Sequence, residues 1–470
     1  MRIPYGSSFK KVELLGFEQM EECIMNKEQN FGNDSIWKLI AKMGIPAVIS
    51  MIVVVIYNMA DTFFVGQTHN DMMVAAVSLV APIFTLMITI GTLIGSGGCS
   101  VISNALGAGN KERAKNISSF CTYAAIIVGI LFTMILLLFT EPILLAIGAT
   151  EKTVAYATGY TRWIAIGAVF IIFSNTLSNV IRAEGASTES MIGNLIGTIV
   201  NIILDPIMIL VLNMGVKGAA IATVIGNFCA CVFYMIYFKK KKTTQLSISI
   251  KDFSIGNGVA ASVFSIGTPG ALGNLLMSIS NVFMNRLLVG YGDNAVAAMG
   301  VGMKVGMITV MLQMGLSTGV LPILSYNYGA GNIERLKETI KKAGVVCFCL
   351  GVLLTAVCLL NCKSLVLAFV SSTEAIGLGI AMTKAIILAA PFIGLYYLCI
   401  SVMQALGKSI IPIVVSLLRQ GVVYVPVMYI GNYMFGLNGL IYTQAISDYI
   451  AISVAIISCS LIVKKIGNNV

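Results

Sequence analysis

Charge is what this chain of 470 residues has least of. Asp, Glu, Lys and Arg together make up 11% of it, against 57% hydrophobic residues. A soluble domain carries about 25% charged residues, so a soluble fold is excluded. Histidine is nearly absent: His69 is the single copy, which rules against a Cys/His metal centre and against histidine-based catalysis. The eleven cysteines fall mostly within apolar runs, and pairs such as Cys229 and Cys231 sit two residues apart, on different sides of a helix. They show no disulfide pattern and read as small packing residues. No basic-then-apolar leader ending in a cleavage site opens the chain; its first 35 residues read as a cytoplasmic tail without a signal peptide.

What is abundant is apolar sequence in runs long enough to cross a bilayer, which takes about 20 residues per helix. Twelve are legible, at roughly 39–64, 73–100, 117–139, 155–181, 190–213, 218–238, 260–289, 294–325, 343–361, 377–404, 410–432 and 437–463. Gly, Asn, Lys and Glu fill the breaks, and Ser35 is a candidate cap before the first run.

The runs repeat. Gly-Ala-Gly-Asn-x-Glu-Arg occurs at Gly107 to Arg113 and at Gly329 to Arg335, 329 − 107 = 222 residues apart. The register persists: Arg182-Ala-Glu-Gly185 faces Gln404-Ala-Leu-Gly407 (404 − 182 = 222), Gly215 faces Gly436 (436 − 215 = 221), and Pro46 faces Pro269 (269 − 46 = 223). Two copies of one membrane unit usually carry a substrate between them. The expected organisation is a tail at 1–35, a first lobe at 36–243, a linker at 244–257 and a second lobe at 258–470.

Basic residues orient the spans. Lys111, Arg113, Lys115, the run Lys239 to Lys242, Lys251, Arg335, Lys337, Lys341, Lys342, Lys464 and Lys465 fall on the side of both termini, which is therefore expected to be cytoplasmic. Asp71, Glu141, Glu151, Asp293 and Glu374 fall opposite. This bias accounts for the net charge of +10 without a nucleic-acid partner. The lysine run reads as a topology determinant with a capacity to touch anionic lipid.

Ionisable residues within membrane spans cost about 2.5–3.5 kcal/mol each on insertion scales, so each calls for a reason. Asp61, Asp205 and Asp448 are such residues. Asn58 lies three residues before Asp61, and Asn201 four before Asp205, on shared helical faces. Pro206 removes a backbone donor beside the Asp205 carboxylate. A carboxylate, an amide oxygen and a freed carbonyl in one turn are hard ligands, suited to a proton or Na⁺ and to no softer metal. Asp448 reads instead as a helix-to-helix hydrogen-bonding residue. Aligning the halves puts Asn285 opposite Asp61 and Val425 opposite Asp205, so the acidic pair is confined to the first half. Arg419 reads as snorkelling toward the cytoplasmic face, and Lys304 as snorkelling or paired with an unidentified acid. Methionines Met59, Met208 and Met284, with Asn281 and Asn285, are candidate substrate-pocket residues, although methionine also serves as core filler.

These strings together resemble the multidrug and toxic compound extrusion family of cation-coupled exporters, in its bacterial and archaeal multidrug branch, from about residue 40 onward. The resemblance rests on Pro46 through Asp61-Thr-x-x-Val-Gly66, the two Gly-Ala-Gly-Asn turns, Arg182-Ala-Glu-Gly185, Asn201-x-x-x-Asp205-Pro206, Gly215-Val-Lys-Gly-Ala-Ala220 and Leu418-Arg-Gln420. It implies an all-α membrane protein, with twelve helices in two six-helix lobes around a V-shaped cavity. It further implies export of small organic cations, driven by inward H⁺ or Na⁺ and requiring no other cofactor. The ion site it implies is Asp61, Asn201, Asp205 and Thr223, with Pro46, Asn58 and Pro206 supporting or hinging the helices. One branch uses an acid on the seventh helix; that run here has none. The chain is expected to work as a monomer among lipids in the cytoplasmic membrane. The alternative is a lipid-linked precursor flippase, which should show a basic central cavity. A passive channel lacks a filter motif here, and an enzyme lacks a nucleophile motif.

Overall fold

The computed structural model describes residues 31–468 except His69, Lys242, Asn257, Val370 and Ser371, so the segment 1–30 and those five positions lie outside it. The described residues form helices and no strand. In chain order the spans are α1 (Ile36–Gly66), α2 (Asp71–Gly107), α3 (Lys111–Leu138), α4 (Val154–Arg182), α5 (Ser187–Pro206) and α6 (Val216–Lys240). The second set is α7 (Val259–Leu288), α8 (Asp293–Gly329), α9 (Ile333–Leu360), α10 (Thr373–Ile387 and Ala390–Ala405), α11 (Ile410–Leu417 and Tyr424–Phe435) and α12 (Leu437–Asn468). Helix α10 bends by 41° at its break. Two fifth-position helices, α5 and α11, carry π turns, at Ile207–Val211 and Leu418–Val422. Such turns widen a helix locally and are frequent at functional sites.

The ends of these helices explain why the repeat is legible. Gly109 and Gly331 follow the helix caps at φ of 75° and 70°, and Gly215 and Gly436 precede α6 and α12 at 54° and 58°. Glycine takes that region without the Cβ clash other residues meet. Asn110 then caps α3 by accepting from Arg113 N (2.9 Å), and Asn332 caps α9 by accepting from Arg335 N (3.0 Å). The same turn is built twice from the same residues.

Helices α1 to α6 form one lobe and α7 to α12 the other, with α4 and α10 central to each. The first helix of each lobe starts against the opposite lobe. Ile36 and Ile40 of α1 belong to the second lobe's core, and Val259, Val263 and Ile266 of α7 belong to the first lobe's. Lipid tails are as apolar as leucine, so close backbone approach rather than water exclusion drives such contacts. Glycine provides it: a Cβ on Gly107 would lie 2.1 Å from the Tyr326 carbonyl oxygen, and one on Gly329 the same 2.1 Å from that of Asn104. Gly97 meets Val263 and Gly319 meets Met43 in the corresponding pair of contacts. These positions lie toward the membrane side that carries the Gly-Ala-Gly-Asn turns and the described termini. At the other side, a Cβ on Gly66 or Gly290 would touch nothing within 4 Å. The lobes therefore meet at the end that carries the Gly-Ala-Gly-Asn turns, the closed end of a V-shaped cleft.

Candidate ion-coupling site

Asp205 falls in the last turn of α5, just before the π turn, and is fully buried within the open half of the first lobe. Asn201, one turn earlier, and Thr223 on α6 are each 2% exposed beside it. The Asn201 amide lies 3.3 Å from Asp205 Oδ1 and 3.4 Å from Thr223 Oγ1. Turned so that every atom is satisfied, it donates to Asp205 Oδ2 (3.1 Å) and accepts from the Thr223 N–H (3.1 Å). From α1, the Tyr57 hydroxyl reaches Thr223 Oγ1 at 3.3 Å. Asp61, one turn beyond Tyr57, presents a buried Oδ1 with no hydrogen-bond partner. Its carboxylate is near enough to interact electrostatically with Asp205, and Tyr57 and Tyr160 stand within the same field. Among the described residues no lysine or arginine forms an ion pair with either acid. The arrangement is a set of oxygens that includes two carboxyl groups, with no lysine or arginine paired to them among the described residues. Unpaired carboxylate oxygens in a low-dielectric site call for a proton or a small cation.

The four residues that the resemblance implies thus share one corner, formed by α1, α5 and α6. Sequence reasoning missed Tyr57 and Tyr160. Tyr57 carried a signal, standing four residues before Asp61 on the same face; Tyr160, on α4, had none. Asn227 was also missed: it donates to the Thr223 carbonyl (2.9 Å) and accepts from Ser174 Oγ (2.9 Å), extending the polar corner to α4.

The supporting residues are placed as follows. Pro46 lies inside an unbroken α1, where Ser187 Oγ donates to the Met43 carbonyl (2.8 Å) and Gly315 and Gly319 of α8 approach closely. Asn58 is exposed and donates to the Val54 carbonyl (2.8 Å), one turn back on its own helix. Pro206 ends the α-helical part of α5, and the chain continues through the π turn, with Leu212 N bonded to the Ile207 carbonyl (2.8 Å). Of the pocket candidates, Met59 and Asn285 are exposed, and Met208 and Asn281 are half-buried. Met284 departs from the expectation: it packs in the second lobe's core with Leu288, Ala298 and Met299, facing no open surface.

One further expectation is corrected and one is narrowed. Arg419 does not snorkel. It is buried, with Nε donating to Asp448 Oδ1 at 2.7 Å and Nη1 to the Tyr397 hydroxyl at 3.1 Å. Lys304 pairs with no acid among the described residues; its ammonium stands 5.3 Å from the centre of the Phe369 ring.

Known proteins resemble this chain in sequence and fold along nearly its whole length. The sequence profile of the MatE family matches residues 46–207 and again 269–430, one copy per lobe. The multidrug export protein MepA of Staphylococcus haemolyticus (strain JCSC1435) is 32% identical over 418 residues, covering 89% of this chain and 92% of that protein. An outward-facing conformation of a multidrug resistance MATE family transporter of the MOP superfamily superposes with a TM-score of 0.90 at 25% identity, over 94% of this chain and 99% of that one. A MATE structure in the straight conformation gives 0.90 at 25% identity, over 94% and 100%. With two copies of the family profile, the two-lobe fold and a close relative in sequence, the chain belongs to the MatE family and is a membrane transporter, not an enzyme.

Proposed function

We propose that this protein is a multidrug exporter of the cytoplasmic membrane, a monomer that expels small organic cations in exchange for H⁺ or Na⁺. The observation that carries the reading is the fully buried Asp205, hydrogen-bonded to Asn201 and near Asp61, with no basic partner among the described residues. Burying unpaired carboxylates costs several kcal/mol unless a counter-charge compensates. A transporter recovers that cost by alternating the counter-charge. When H⁺ or Na⁺ binds Asp205 and Asp61, the first lobe loses its attraction for an organic cation in the cleft. Helix α1, held on both sides near Pro46, then bends, the cleft contracts and the drug leaves. Loss of the ion on the other side restores the negative charge that attracts the next cation.

The excess of basic residues near the turns supports a cytoplasmic location for the termini and the closed end, and with it a cleft that opens outward. A membrane potential supplies about 2.3 kcal/mol per net charge moved per 100 mV. One-for-one exchange of monovalent cations moves none, so the ion's concentration gradient drives it. The potential adds to the drive only when more ions enter than drug charges leave. The test is transport of a fluorescent organic cation into inside-out proteoliposomes under an imposed H⁺ or Na⁺ gradient. Wild type accumulates the dye only when the coupling ion is supplied, and Asp205→Asn does not. Retained gradient-driven transport by Asp205→Asn overturns the assignment.

A further inference from the structure

The second lobe contains a charge cluster that ion coupling at Asp205 leaves unused. Arg419 on α11 donates through Nε to Asp448 Oδ1 (2.7 Å), and Gln444 Nε2 donates to the same oxygen (2.8 Å). The guanidinium carbon lies 4.8 Å from the Tyr396 ring centre and 5.6 Å from that of Tyr397. Arg419 is 6% exposed and Asp448 3%. Tyr424 is the other titratable group within the field of Asp448.

The repeat register places part of this cluster opposite the Thr223, Asn227 and Ser174 side of the first lobe's polar corner, while Asp205 itself stands opposite Val425. Gln444 stands opposite Thr223 (444 − 223 = 221) and Asp448 opposite Asn227 (448 − 227 = 221). Tyr396 and Tyr397 stand opposite Ser174 and Asn175 (396 − 174 = 222, 397 − 175 = 222). Both clusters join the fourth, fifth and sixth helices of their lobe, and the first-lobe corner also includes α1, which carries Tyr57 and Asp61. The two differ in charge balance. Asp61 and Asp205 pair with no lysine or arginine among the described residues; in the second lobe, Asp448 has a guanidinium bound to it. A guanidinium stays protonated under all physiological conditions, and its side chain tethers it, so it neither gives up a proton nor exchanges with the medium. Net stability does not account for the pair, since apolar replacement of a buried ion pair is often neutral.

We propose that Arg419 is a tethered cation occupying, in the second lobe, the role a mobile coupling ion takes in the first, and that it restricts ion coupling to one lobe. This rests on the reading of Asp205 as the coupling carboxylate. Removing the guanidinium leaves Asp448, with Gln444 and the Tyr397 hydroxyl, as a second oxygen site open to a mobile cation.

The experiment measures equilibrium Na⁺ binding and proton uptake by the full chain in nanodiscs. Wild type and Asp205→Asn are compared with the double variant Arg419→Gln/Asp205→Asn and the triple variant that adds Asp448→Asn. Asp205→Asn loses the ion bound by wild type. The double variant regains one, and the triple variant loses it again. Arg419→Lys in the Asp205→Asn background keeps the tethered charge and regains none. The proposal is overturned if the double variant binds no more than Asp205→Asn does. It is also overturned if the double variant fails to fold while the triple folds, since no mobile ion then neutralises Asp448. Failure of both to fold overturns it as well, because Arg419 is then a packing requirement. Equal binding by wild type and Asp205→Asn defeats the first-lobe reading instead, and the step from double to triple variant still reports on the second lobe alone.

Discussion

Replacing Gly107 or Gly329 by alanine should open the closed end of the cleft. The added methyl would lie 2.1 Å from a backbone carbonyl oxygen of the opposite lobe in either case. A carbon–oxygen contact settles at about 3.3–3.6 Å, so α2 and α8 must separate by more than about 1 Å. A carbonyl within a helix cannot swing aside as a side chain does. Overpacking of this kind costs about 1–3 kcal/mol. Because the strained contact lies between lobes, parting the lobes relieves it, and the cost becomes a population shift of about 5- to 150-fold toward the state open at this end. Hydrogen exchange followed by mass spectrometry reads the shift. Amides around both turns, Gly107 to Lys111 and Gly329 to Ile333, should exchange faster by that factor in either variant, because the two contacts are one interface. Gly66→Ala and Gly290→Ala, whose added methyl groups touch nothing within 4 Å, serve as controls. Exchange that rises only at the substituted turn, or no more than in the controls, refutes the reasoning.

Three other outcomes follow from the same geometry. Asp448→Asn leaves Arg419 buried without its counter-ion and should lower unfolding stability by about 3–5 kcal/mol, seen as a fall in the thermal midpoint of the detergent-solubilised protein. Asn110→Ala and Asn332→Ala each remove an equivalent cap; each should cost about 1 kcal/mol, and the two shifts in thermal midpoint should match. Glu184→Gln weakens a clamp in which the carboxylate accepts from Lys241 Nζ (3.1 Å), Thr244 Oγ1 (2.9 Å) and Gln245 N (3.1 Å). Limited proteolysis should then cut the inter-lobe linker around residues 244–249 faster, while the spans stay protected.

The repeat and the spans were legible because each depends on local chemistry. The Gly-Ala-Gly-Asn turns need a positive φ at Gly109 and Gly331 and a side-chain cap, and only a few residues supply either. Helix ends were less legible: α2 runs to Gly107 and α8 to Gly329, beyond their apolar runs. Backbone hydrogen bonds within a helix continue past the bilayer, where hydropathy no longer marks them. The break in α10 at Leu388 and Ala389 is marked only by Pro391, at the start of the second half, inside an otherwise unbroken apolar run. At the candidate site, Asn201 and Asp205 are four residues apart and announced themselves. Tyr160 reaches the same corner from a separate helix, so only the fold reveals it. Arg419 was misread for the same reason: its partner, Asp448, lies 448 − 419 = 29 residues away on another span.

The account stands on a carboxylate corner that holds either an ion or the attraction for a drug. The most direct measurement is ion release on drug binding: a fluorescent organic cation is titrated into purified protein, with proton and Na⁺ activities monitored in weakly buffered medium. Wild type should release ions as the cation binds. Asp205→Asn should release none and lose the dependence of drug affinity on pH or Na⁺. Ion release that persists in Asp205→Asn, or drug affinity in wild type that is indifferent to both ions, contradicts it.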